Sequence, residues 1–276
     1  MNPSGDGGAR WTPAPIDEQE RRRVLELASS PEAEAARADL VAAFRILVRM
    51  GVVDGLYQGL YGHLTLRVPG APGYFWVNSL AKRFRDVTAG DLILLGSGGQ
   101  IVQGEARAVN FAAFFIHSAI HRARADVNCV AHTHPAAGCA FAALGLPLLP
   151  IDQVGCVFFE DHAVHSDYSG VVAERSEGEA IAAALGSRRA AILVNHGLVT
   201  CGPDVAHAVI DMYELERTCD IQLRAMATGR ELRVIPAEAA RQVRSIRTDP
   251  RRYRHEWSVL MRELISDSRG VPPPRS

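Results

Sequence analysis

Three histidines carry the most specific chemistry in this chain. His132 and His134 stand two apart in Cys129-Val-Ala-His-Thr-His-Pro135, and His196 follows an apolar run in Ala191-Ile-Leu-Val-Asn-His-Gly-Leu198. On an extended strand, residues two apart point to the same side. A third imidazole from another strand end would complete a three-nitrogen set that holds a divalent cation and leaves further positions open for water or substrate. Metal-assisted catalysis is the chemistry such a set would run. Hydrogen-bonded histidines packed within a strand are the plainer reading of His132 and His134 taken alone. His196 weighs against it, because Gly197 lets the backbone turn sharply where an exposed ligand would sit.

Other groups are weaker candidates. His117 and His121 stand four apart, on one face of an expected helix, and read as packing or as support for the three-histidine set. Glu160-Asp161-His162 is a cluster of acid–base groups, and a solvated turn explains it equally well. Lys82 is the only lysine among 30 basic residues, so Schiff-base catalysis, which needs a lysine, has a single candidate there. His63, Arg67 and Asn78 lie near strand ends and, with Phe115 and His117, are expected in a substrate pocket.

The elements that must position these residues follow from periodicity and punctuation. Ala33 to Met50 is an amphipathic helix stopped by Gly51. Leu64–Val68 and Tyr74–Asn78 form a hairpin through a Pro/Gly turn, and Val87–Leu95 with Gln100–Gln103 forms another. Asn110 caps a helix that runs through His121. Ala136–Leu144 is a short helix, Leu148–Ile151 and Cys156–Phe159 are expected strands, and Ser176 with Glu179 is expected to cap the helix that ends at Gly186. Asp204 to Thr228 is the longest helix, with a core stripe of Val205, Val209, Met212, Leu215, Cys219 and Met226. Residues 236–265 are helical. Strands that deliver ligands, covered by helices, make a three-layer α/β/α fold. Residues 1–32 are expected to be a flexible segment and arm, 33–230 the folded domain, and 231–276 a helical extension with a loose Pro272-Pro-Pro274 tail.

The His-Thr-His-Pro and Asn-His-Gly-Leu segments, their separation, and Gly62-His-Leu-Thr-Leu-Arg67 upstream together resemble the class II aldolase/adducin family, over roughly residues 35–228. That resemblance implies an α/β fold with a mainly antiparallel sheet, a homotetramer with active sites at its interfaces, and His132, His134 and His196 as metal ligands. Family aldolases carry a proton-moving glutamate one helix before His-x-His, and Ala113 holds that place here. His63 stands where their phosphate-binding loop has asparagine, and Val109-Asn110 where it has a hydroxyl pair. A phosphorylated substrate is therefore not expected. In these respects the chain is similar to the family's non-haem iron oxygenases of aminocoumarin antibiotic biosynthesis. That similarity implies Fe(II), with O₂ as co-substrate, acting on an aromatic, prenylated 2-oxo or 2-hydroxy acid. The aromatic residues near these segments, Phe75, Trp76, Phe84, Phe111, Phe114, Phe115, Phe158 and Phe159, are core filling by default, though some could wall a pocket for such an acid. A Zn(II)-type lyase is the alternative, with Glu160, Asp161, His162, Tyr168 or His117 as its acid–base group. A metal-free, adducin-like structural protein is the third reading.

Composition narrows the class. A chain of 276 residues with 47% hydrophobic and 22% charged residues is that of an ordinary globular protein. A net charge of −1 gives no electrostatic reason to expect nucleic acid or an anionic membrane. Five widely spaced cysteines read as buried thiols, and no signal peptide or spanning segment is evident, so a cytoplasmic protein is expected.

Overall fold

A computed structural model describes residues 12–54, 58–80, 82–168 and 170–268. The expected flexible residues 1–11 and the Pro272–Pro274 tail lie outside the described residues. Helices α1 (Glu18–Ala28) and α2 (Pro31–Arg49) begin with Asp17 and Ser30 as side-chain caps. Pro31 occupies the first helical position of α2, where a missing N–H is harmless. Val24 and Ala28 bury α1 in the same core as α2.

A four-residue helix, α3 (Gln58–Tyr61), precedes the hairpin of β1 (His63–Val68) and β2 (Ala71–Asn78). Gly70 turns that hairpin at a φ of 75°, which a Cβ would resist. Then come β3 (Leu92–Gly96), β4 (Ile101–Gln103), α4 (Phe111–Ala123), β5 (Cys129–Thr133) and α5 (Ala136–Ala142). They are followed by β6 (His162–His165), α6 (Arg175–Leu185), β7 (Ala190–Leu193), β8 (Gly197–Gly202) and α7 (Val205–Met226). Helices α8 (Ala237–Arg247) and α9 (Pro250–Ser268) close the described chain.

Among the described residues the strands form one eight-stranded sheet in the order β4-β3-β2-β1-β5-β8-β7-β6. Only the β6–β7 pair is parallel. Alternation along the strands splits the core in two. Cys129, Ala131, Leu198 and Ile192 face α2, α5 and α7, while Val130, Val199 and Ala191 face α4 and α6. The layering is α/β/α, as the sequence pattern implies.

Several local expectations are corrected. Leu148–Ile151 joins no strand, and Gly155–Phe158 is a 3₁₀ turn rather than a strand. The edge strand at this end of the sheet is His162–His165, whose polar ends hid it. The α6 cap is Glu174, reciprocated by Glu177, two residues before the expected Ser176–Glu179 pair. Thr88–Asp91 makes a capped turn, so β3 starts only at Leu92. The C-terminal helix is broken before Pro250, as expected where a proline cannot continue the ladder.

Candidate metal centre

His132 is the penultimate residue of the inner strand β5, fully buried and paired with His63 on β1 and Val199 on β8. His134 follows one residue beyond the strand, and His196 sits in the tight turn between β7 and β8. Asn195 takes a φ of 59° in that turn. A Cβ on Gly197 would lie 2.6 Å from the Thr133 carbonyl oxygen and 2.9 Å from His134 Cδ2. Glycine is thus required for the two ligand segments to approach each other.

The three imidazoles converge. His132 Nε2 lies 3.0 Å from His134 Nε2 and 3.2 Å from His196 Nε2. One ligand atom from each of the three lies within 4.8 Å of the other two, a group that could hold a metal ion. His132 Nδ1–H donates to the Leu198 carbonyl at 2.9 Å, which leaves the Nε2 lone pair directed at the other two rings. Burial pushes the His134 imidazolium down to about 4, with the His196 charge adding to it. His132 and His196 are lowered by burial as well. Three neutral imidazoles with converging lone pairs are the donor set a divalent transition-metal ion requires. On α7, Glu216 accepts from the N–H groups of Ala137 and Gly138 and so anchors the start of α5 directly after His134-Pro135.

His63 and His117 also belong to this neighbourhood. The His63 ring centre is 4.8 Å from that of His132, and His63 Nδ1 is 2.7 Å from His117 Nε2. The chain of contacts continues from His117 Nδ1 to Thr65 Oγ1 at 2.7 Å, then to His121 Nε2 at 2.9 Å. Thr65 was missed by the sequence reading. The signal was there: His63-x-Thr65 at strand spacing faces His117-x-x-x-His121 at helix spacing, two polar pairs in apolar elements. Asn78 holds His63 in place by accepting from Leu64 N–H at 3.1 Å and donating to the Gly62 carbonyl at 3.2 Å.

Other expected site residues go elsewhere. Arg67 lies four residues along β1 from His63, roughly 13 Å at strand rise. Its guanidinium donates to the carbonyls of Val127, Pro72, His121 and Arg124, which occupies four of its five N–H donors. Phe115 packs between α4 and the α6 side of the sheet. Glu160 is an exposed carboxylate paired with Arg241 of α8 at 2.8 Å. His162 begins β6, at the end of that strand away from His165, with Nδ1 donating to the Phe158 carbonyl and Nε2 accepting from Leu148 N–H. Neither Glu160 nor His162 reaches the three-histidine group. Asp161 is bound to Arg189, and Lys82 pairs with Asp91 at 3.2 Å. Phe75, Trp76, Phe84, Phe114 and Phe158 are buried in the core. A cavity of about 300 Å³ does open beside His196, lined by His165, Tyr168, Ile181, Leu193 and Val194 among others.

A family profile for the class II aldolase and adducin N-terminal domain matches residues 38–223. The chain belongs to the class II aldolase/adducin family. Within it, the chain is 42% identical over 200 residues to the decarboxylase NovR of Streptomyces niveus, covering 72% of each chain. It is also 42% identical over 200 residues to the 4-hydroxy-3-prenylphenylpyruvate oxygenase/4-hydroxy-3-prenylbenzoate synthase of Streptomyces roseochromogenus subsp. oscitans, covering 72% of this chain and 70% of that one. Among solved structures of the family, an aldolase II superfamily protein from Pseudomonas syringae matches with a TM-score of 0.78 at 36% identity, over 88% of this chain and 97% of that one. Family membership and the named relatives support an enzyme. No helix among the described residues is long and apolar enough to cross a membrane.

Proposed function

We propose that this chain is a non-haem Fe(II) oxygenase that oxidatively decarboxylates an aromatic, prenylated 2-oxo or 2-hydroxy acid toward a mandelate or benzoate in antibiotic biosynthesis, with O₂ as co-substrate. The observation that carries this reading is a convergent group made of imidazoles only, able to hold a cation, in a chain with Ala113 where a proton-moving glutamate would be expected. His132, His134 and His196 would hold the ion. When bound, Fe(II) supplies redox capacity and Lewis acidity toward the acid. The protein's own part is to keep three imidazoles neutral, to orient them through β5 and the β7–β8 turn, and to offer apolar room beside His196. The relative named as a 4-hydroxy-3-prenylphenylpyruvate oxygenase supports this substrate class, and the one named as a decarboxylase supports the reaction.

A homotetramer with interfacial sites is part of this proposal, and light scattering of the purified protein tests it. The deciding experiment is oxygen uptake by the Fe(II)-loaded protein with 4-hydroxyphenylpyruvate and its 3-prenyl derivative. Stoichiometric O₂ consumption with CO₂ release is expected. Undiminished turnover under strict anaerobiosis would instead establish a Zn(II)-type lyase, for which Tyr168 lines the cavity beside His196 together with His165, Asp167 and Glu177.

A further inference from the structure

The contacts from His63 to His121 have a direction that one backbone carbonyl sets. His121 Nδ1 faces the Val127 carbonyl oxygen at 3.4 Å. A carbonyl only accepts, so Nδ1 carries the proton. Neutral His121 then has a bare Nε2, which accepts from the Thr65 hydroxyl 2.9 Å away. Having given its one proton to His121, Thr65 Oγ1 must accept from His117 Nδ1–H at 2.7 Å. His117 Nε2 is therefore bare and accepts from His63 Nδ1–H at 2.7 Å. One orientation remains for His63: proton on Nδ1, lone pair on Nε2. Among the described residues no protein group bonds that Nε2, although His63 is 98% buried at 2% exposure and stands against His132. Burial also disfavours the charged form of His121 and of His117, which is pushed down to about 3.

We propose that this relay makes His63 an obligate hydrogen-bond acceptor facing the substrate, so that the group received at Nε2 is a hydroxyl: the 2-hydroxyl of a 2-hydroxy acid or the enol hydroxyl of a 2-oxo acid. A phosphate dianion or a carboxylate oxygen has no proton to give and would meet the lone pair unfavourably. An asparagine at the same place could turn its amide to donate or accept, whereas the relay denies His63 that choice. Thr65, His117 and His121 are thus positioning residues, acting through the proton they hold away from His63 Nε2. This selection rests on the reading that an acid substrate binds at the three-histidine centre.

Two measurements test it. Nitrogen NMR of the [¹⁵N-His]-labelled, Zn(II)-loaded protein is expected to show the Nδ1–H tautomer at His63, His117 and His121 alike. A proton on His63 Nε2 overturns the proposal. Calorimetry on the same protein then compares mandelate with phenylacetate, which differ only in the 2-hydroxyl. Mandelate is expected to bind roughly tenfold tighter. Thr65→Val, which breaks the relay, is expected to reduce that ratio several-fold without changing metal content, and Thr65→Ser to restore it. A hydroxyl preference that survives Thr65→Val unchanged arises at the cation and overturns the role of His63. Equal binding of both acids overturns the selection alone, whereas failure of both to bind removes the substrate reading and the selection with it. Should Thr65→Val not fold, His63→Gln, whose amide can donate as well as accept, takes its place with the same expected loss of preference.

Discussion

His132 and Leu198 are joined across the β5–β8 pair by a hydrogen bond of 2.9 Å from the imidazole Nδ1–H to the main-chain carbonyl. The tautomer of His132 is therefore held by the sheet itself and not by another side chain. Loss of a converging imidazole should be felt at the ion and not in the fold. His196→Ala is expected to weaken metal binding by more than about 100-fold, with an unchanged circular dichroism spectrum. Competition against a chromophoric chelator measures it. Retained affinity would show that His196 is not a ligand.

Gly197→Ala is expected to act through geometry. The added Cβ would press on a main-chain carbonyl and on His134, and backbone cannot yield as a flexible side chain can. Destabilisation of ~2 kcal/mol or more by urea titration is expected, together with weaker metal binding.

The buried imidazoles make stability depend on pH. In the unfolded chain they take up protons near 6.5, whereas in the fold His134 does so only at about 4 and His117 at about 3. Between those limits the unfolded state binds more protons, so stability drops as pH drops. The contribution is fully present above 6.5 and is lost progressively on the way to 4 and 3. Because several such groups act together, the metal-free protein is expected to lose more than ~1.4 kcal/mol between about pH 6.5 and about pH 5, above the range of ordinary carboxylates. A flat urea midpoint over that window would contradict it.

The C-terminal helix is docked through a buried charge. Asp211 on α7 accepts from Arg189 at 3.1 Å and from the Tyr253 hydroxyl of α9 at 2.6 Å. Arg189→Ala would strand Asp211 in the interior and is expected to destabilise by ~3–5 kcal/mol. Tyr253→Phe, which removes one hydrogen bond, should cost ~1–2 kcal/mol. Equal effects of the two would argue against the charge as the dominant element.

Glu160→Gln is expected to leave metal content and turnover within about twofold of wild type, as befits an exposed surface ion pair. A loss of turnover greater than about tenfold would restore Glu160 as an acid–base group.

What could be read from the sequence follows from how local each signal is. The Asn110 cap and the stripe beginning Val205, Val209, Met212 need only neighbours along one helix, and both appear as expected. The three converging histidines were legible because both segments end apolar strands. Cys156–Phe159 misled because its apolar, aromatic residues are those of a strand, while the fold curls them into a 3₁₀ turn beneath α7 and α8. Glu160 and His162 look like a site because they are adjacent, but the fold spends one on Arg241 and the other on two backbone groups. Arg67 was misplaced for the same reason: only the structure reveals the four carbonyls gathered around it. Thr65 needed knowledge that β1 lies under α4, which no single element carries.

His132 belongs to β5, with four strands on one side and three on the other. Of the three converging imidazoles it alone stands on paired strand, since His134 lies one residue past β5 and His196 in the β7–β8 turn. A cation held by the three would therefore have one donor fixed by the sheet and two carried on connecting segments.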